Sequence, residues 1–124
     1  MDDECTVSSV LDFTAKKWTL LILLEIYKRQ PKKVRYSEIK KSIKNITPKL
    51  LSVRLKELEK EELLIKTIDS KTFPIKSEYE LSNSGKDFIR IIQEMKKWGL
   101  KWLPKKKVCD SVNCKDCAFN DKKN

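Results

Sequence analysis

Three features of the sequence predict a mainly α-helical fold with one small β-hairpin. They are a nearly continuous apolar run, WTLLILLEIY; a capped amphipathic segment, NITPKLLSVRLKELEKEELL; and a turn-rich link, DSKTFPIK, between two short alternating stretches. At 124 residues the chain fits one compact domain, 5–103, with a basic, cysteine-containing tail at 104–124. An apolar fraction of 40% can supply a core, and a charged fraction of 37% calls for long solvated helix faces.

The elements follow in order. Residues 6 to 14 place Val7, Val10, Leu11 and Thr14 at helical spacing, which predicts a short first helix with one apolar stripe. From Trp18 to Tyr27 nearly every position is apolar except Thr19 and Glu25, as expected of a central buried helix that ends before Pro31. RYSEIKKSI, residues 35 to 43, sets Ile39 and Ile43 one turn apart and predicts a shorter helix. The next helix has a strong start: Thr47 suits the N-cap, and Pro48 falls at the first helical position, where its missing N–H costs nothing. Leu50, Leu51, Leu55 and Leu58 form its inward stripe, leaving Lys49, Ser52, Arg54 and Lys56 largely outside it. LLIKTI and SEYELS then read as strands around a long tip containing Pro74. Ser82 can cap a last helix whose band of Phe88, Ile91, Ile92, Met95, Trp98 and Trp102 exceeds what a small core needs. A second copy of the chain would use the excess. In the plainer alternative, the band closes the monomer core and Trp102 is an exposed extension.

Two short helices joined by a tight link, followed by a hairpin, make a winged helix-turn-helix. Its second helix, residues 47 to 60, would present a polar face alternating short and long side chains, as a base-edge and phosphate surface requires. Lys71 and Lys76 on the hairpin tip would reach a backbone or minor groove beside it. Glu57, Glu59, Glu61 and Glu62 gather acid at the far end, so the N-terminal half is the part suited to phosphate. Charge agrees with double-stranded DNA as the partner: 28 basic against 18 acidic residues and no histidine give a formal charge of +10 at pH 7, which favours a polyanion but does not by itself separate DNA from RNA, an acidic protein or an anionic membrane.

The same blocks resemble the HxlR-type branch of winged-helix transcription regulators, close to the MarR group. The likeness runs over residues 5 to 98 through Cys5, KKWTLLILLEI, RYSEIKKSIKNITPKLLSVRLKELEKEELL, SEYELSNSG and Trp98. It implies a homodimeric DNA-binding regulator joined through its N- and C-terminal helices, with Val7, Val10 and Leu11 of the first helix at the dimer interface. The helix from Thr47 would enter the major groove, residues 69 to 77 would be the wing, and Arg35, Tyr36 and Ser37 would open the supporting helix near phosphates. It also implies an electrophile, oxidant or small-molecule effector acting at Cys5. The sequence departs from the pattern at Lys16, where a glycine is usual, and at Ser77, where an apolar residue is usual.

Cys109, Cys114 and Cys117 form a CxxxxCxxC run in the tail. With Cys5 they could supply four thiolates to zinc, pair as a disulfide or thiol switch, or remain unlinked; no cofactor is required by the DNA-binding reading. Catalysis has little to work with: there is no histidine, and the two glycines, Gly85 and Gly99, form no phosphate-binding loop. The acidic start MDDEC does not resemble a secretory signal, and WTLLILLEIY, about ten residues interrupted by Glu25, is too short to cross a bilayer. A cytoplasmic protein without a membrane partner is expected. The functional expectation is a sequence-specific DNA-binding regulator, a homodimer on a palindromic promoter site. The alternatives are a non-sequence-specific architectural DNA-binding protein and a cysteine-based redox or metal-sensing interaction module.

Overall fold

The computed structural model describes residues 5–71 and 73–103. In chain order the elements are α1 (Thr6–Thr14), α2 (Thr19–Lys28), β1 (Val34–Arg35), α3 (Tyr36–Ser42), α4 (Pro48–Lys60), β2 (Leu64–Asp69), β3 (Lys76–Leu81) and α5 (Asn83–Trp102). The helices and the hairpin lie where periodicity and caps placed them. The sheet has one strand more than expected: β1 pairs antiparallel with β3, giving the order β1-β3-β2. Two residues are too few to show alternation, so β1 becomes visible only through its pairing, Val34 opposite Tyr79 and Arg35 opposite Glu78.

The register turns Leu64, Tyr79 and Leu81 to the buried side of the sheet. Against that side packs α2, whose Ile22, Leu23 and Ile26 are fully buried, as its continuous apolar character demands. Leu51, Leu55 and Leu58 of α4 and Ile39 of α3 close one flank of this core, and Ile89 and Ile92 of α5 close the other. Glu25, the charged exception in α2, is buried but paired with Lys28 at 3.3 Å and Arg29 at 3.2 Å. Arg29 also donates to Ser42 Oγ at 2.8 Å and lies 3.5 Å from Glu38, so one charge cluster ties α2 to α3. Burial opposes the charge on Glu25, yet Lys28 and hydrogen bonds from Ser42, Arg29 and Lys28 together outweigh it and hold the carboxyl below its ordinary range.

Two turns use left-handed backbone without glycine. Trp18 has φ 80° at the start of α2, with Lys17 Nζ 5.0 Å from its ring centre. The unusual backbone of this turn therefore falls at Trp18, while Lys16, the departure from the glycine pattern, pairs with Glu57 of α4. Glu62, at φ 66°, ends α4 in a Schellman motif: Leu63 N–H donates to Leu58 O at 2.9 Å and Glu62 N–H to Glu59 O at 3.0 Å. Leu63 O in turn accepts from Ser82 N–H at 3.0 Å, and Glu62 O accepts from the hydroxyls of Ser82 and Ser84. Gly85 is needed at this corner, because a Cβ there would lie 2.3 Å from Leu63 O.

Among the described residues, no helix is long and apolar enough to cross a membrane.

Candidate nucleic-acid interface

The helix-turn-helix is built by α3 and α4. Glu38 accepts from Arg35 N–H at 2.9 Å and so closes the start of α3. That bond comes first among the causes that hold Glu38 below its ordinary carboxyl range, against a burial effect and with help from Lys32, Arg29 and Arg35. Thr47 caps α4, its Oγ1 accepting from Leu50 N–H at 3.1 Å, and Pro48 occupies the first turn. The Tyr36 hydroxyl donates to Pro48 O at 3.0 Å, while Ser52 Oγ donates to the Tyr36 hydroxyl at 3.5 Å. A half-buried ring thus locks the head of α4 to the head of α3.

The outer face of α4 carries Lys49, Ser52, Val53, Lys56 and Lys60, all exposed and all off the buried leucine stripe. Thr47 and Pro48 are exposed at its head, and Arg35 and Ser37 at the head of α3. From Lys49 to Lys60 this face runs roughly 17 Å at about 1.5 Å per residue. A helix of that size fits a B-DNA major groove, where lysines meet phosphates or guanine and short side chains approach base edges. Val53 is a surface position that a search for polar side chains passes over. Its signal was present, one turn beyond Lys49 and outside the leucine stripe, and an apolar group there suits a thymine methyl.

Arg54 must be corrected. The sequence placed it on the reading face, but its side chain is only 15% exposed and turns back toward the body. Its Nε donates to Lys17 O at 3.0 Å, and its Nη1 lies 3.2 Å from Glu57. The Lys16 hydrogen bond, working against burial and joined by the charges of Lys16 and Arg54, holds the Glu57 carboxyl below its ordinary range. Arg54 is therefore a clamp between α4 and the α1–α2 turn. Position five residues from Lys49 puts it well round the helix, which a simple polar-against-apolar reading does not resolve.

The wing lies at the same end of the molecule as the head of α4. Arg35 lies opposite Glu78 midway along the hairpin, and the next residue, Tyr36, bonds Pro48. Lys71 is exposed on the tip, with its N–H donating to Asp69, and Lys76 is half-buried opposite Asp69.

The chain matches the family model for an HxlR-like helix-turn-helix over residues 13–107. The chain belongs to the HxlR-like helix-turn-helix family. It is 40% identical over 90 residues, 73% of this chain and 80% of the relative, to the HTH-type transcriptional regulator YdzF of Bacillus subtilis strain 168. A MarR-family transcriptional regulator of Porphyromonas gingivalis W83 superposes with a TM-score of 0.71 at 34% identity, over 82% of this chain and 96% of that one. The reduced form of the regulator YodB of B. subtilis superposes with a TM-score of 0.68 at 29% identity, over 79% and 93% respectively.

Two further surfaces of this HxlR-like chain matter. On α5 the predicted band divides: Phe88 is half-buried and Ile92, at 6% exposure, belongs to the monomer core with Ile89. Ile92 is thus corrected from an intersubunit to a core position, because it lies on the face turned to α2. Ile91, Met95, Trp98 and Trp102 remain as an exposed stripe, and α1 exposes Val7 and Leu11 with Val10 half-buried. Cys5 is exposed at the α1 N-cap, where its Sγ accepts from Ser8 N–H at 3.4 Å. Cys109, Cys114 and Cys117, and with them the zinc expectation, lie outside the described residues.

Proposed function

We propose that this chain is a transcriptional regulator that binds duplex DNA sequence-specifically, as a homodimer on a two-fold promoter site. The observation that carries the reading is the outer face of α4: Lys49, Ser52, Val53 and Lys56 stand free of the core while Tyr36 and the Thr47 cap hold the helix head rigid. A preorganised face loses less on binding than a mobile one. Lysines neutralise phosphates, Ser52 and Val53 address base edges, and the chain regulates by occupying its site without chemistry on the DNA.

Dimerisation is supported by the exposed apolar stripe of α5, which with Val7 and Leu11 offers two helix faces for a second copy. A two-fold dimer would address half-sites about one helical turn apart or a multiple of it. Cys5, exposed at the N-cap of α1, is the residue suited to an oxidant or electrophile effector.

The test is enrichment of a random duplex pool by the full-length chain, followed by competition at physiological salt. One enriched sequence with two-fold symmetry, resistant to bulk duplex, is expected. Equal competition by all sequences would leave a non-specific, architectural binder instead.

A further inference from the structure

The distal half of the wing is apolar where a simple charged wing would be polar. Ile68 is 58% exposed, Phe73 98% and Ile75 64%, three large apolar side chains within one hairpin tip. Their exposure has no role in the fold. The buried side of the sheet ends with Tyr79 and Leu81 opposite Lys66 and Leu64, so Ile68, paired with Ser77, already lies beyond the core. Removing Phe73 from water would be worth several times what a scattered surface residue contributes, and its position at the tip is the one farthest from any internal partner.

Charge and placement identify the occupant. Lys71 and Lys76 flank the apolar tip and outnumber its one acid, Asp69, which suits an anionic surface with apolar interior better than a neutral protein groove. The Arg35–Glu78 strand pairing and the Tyr36–Pro48 hydrogen bond set the middle of the hairpin beside the head of α4. From Glu78 the strand runs about 7 Å farther to Lys76, at about 3.3 Å per residue, and the bent tip with Phe73, Pro74 and Ile75 stands beyond that. The tip thus projects past the strand pairing, toward the backbone and minor groove that flank the major groove α4 would occupy.

We propose that the wing tip is an apolar wedge: Phe73, seated by Ile75 and anchored by Lys71 and Lys76 on the flanking phosphates, inserts at a minor-groove base step and bends the duplex. An aromatic ring partly unstacks the step it enters, and flexible pyrimidine–purine steps such as TA and CA cost least to open. Phe73 would therefore impose a sequence preference flanking the part of the site read by α4, at positions where it makes no hydrogen bond to a base. The proposal rests on the DNA-binding reading above.

The experiment uses the full-length chain and the duplex it enriches from a random pool, with the bend followed by end-to-end fluorescence energy transfer and unstacking by 2-aminopurine at the flanking step. With wild-type protein, bending and a rise in 2-aminopurine fluorescence are expected. Phe73→Ala should keep the wild-type melting temperature, since the side chain is almost wholly exposed. It should lower affinity at least about fivefold, the smaller end of base–aromatic stacking, and abolish both optical signals. Phe73→Leu should retain much of the bend, because aliphatic wedges also open base steps. Lys71→Ala should weaken binding and reduce the salt dependence while leaving the bend intact. Unchanged bending in Phe73→Ala overturns the wedge while the DNA-binding reading stands; so does a change in sedimentation with DNA affinity intact, which would make the tip a protein contact. Failure to enrich any duplex overturns both.

Discussion

Arg54 and Lys49 lie on one helix, carry the same charge, and are expected to fail differently when truncated. Lys49 is exposed and has no hydrogen bond or ion pair to the other described residues, so Lys49→Ala should weaken DNA binding and flatten its salt dependence while leaving the melting temperature in place. Arg54 holds Lys17 O and Glu57, so Arg54→Ala should destabilise the fold by about 1–2 kcal/mol, seen as a lower denaturant midpoint. Any loss of DNA affinity in that variant would come through a displaced α4. The carboxylates supply the pH test. Glu25, Glu38 and Glu57 are all held below the ordinary glutamate range in the folded state. A depressed carboxyl stabilises the fold above its unfolded value and loses that contribution as pH falls through the folded value. With no histidine in the chain, the melting temperature should stay nearly level from about pH 6 to 8 and fall below about pH 4.5, which a pH series of thermal melts would check. Glu25→Gln should lose about 1–3 kcal/mol at neutral pH and reduce that acid dependence.

At the scale of the element, the α4–β2–α5 corner concentrates unusual constraints. Glu62 adopts φ 66° at a Schellman position that glycine fills without a Cβ penalty. Glu62→Gly should therefore raise stability by up to about 1 kcal/mol, measured by chemical denaturation. Gly85→Ala should act in the opposite sense, by about 1–3 kcal/mol, because the new Cβ meets the backbone carbonyl of Leu63 and no side chain can yield. The α4 helix shows what local sequence encodes well. Thr47 and Pro48 mark its start through bonds and dihedrals made within one turn, so the start was legible without any tertiary information. Its Schellman end was not legible, since the sequence offers glutamate where the usual signal is glycine.

For the whole molecule, α5 decides between monomer and dimer. The twenty-residue helix buries Ile89 and Ile92 on one side and leaves Ile91, Met95, Trp98 and Trp102 exposed on another. If that second side joins two copies, the full-length chain should sediment near twice 14.6 kDa at micromolar concentration. Met95→Glu with Trp98→Glu should then return it to the monomer mass without unfolding α2 and the sheet, because both side chains are outside the core. A formal charge of +10 further predicts DNA affinity that falls steeply with added salt.

The helices, the caps at Thr47 and Ser82, the hairpin and the basic sense of the α4 face are legible in the chain alone, because periodicity, capping and turn chemistry act over a few residues. Tertiary structure decided how each face was used. It turned Arg54 inward onto Lys17 O, left Val53 outward among the lysines, and added β1 as a strand through its pairing with β3. It also divided the α5 band, giving Ile92 to the core and leaving Trp98 and Trp102 exposed. Each of these outcomes depends on which distant surface comes alongside. A 3.6-residue repeat gives the angle of a side chain about its helix, but packing alone determines what lies at that angle.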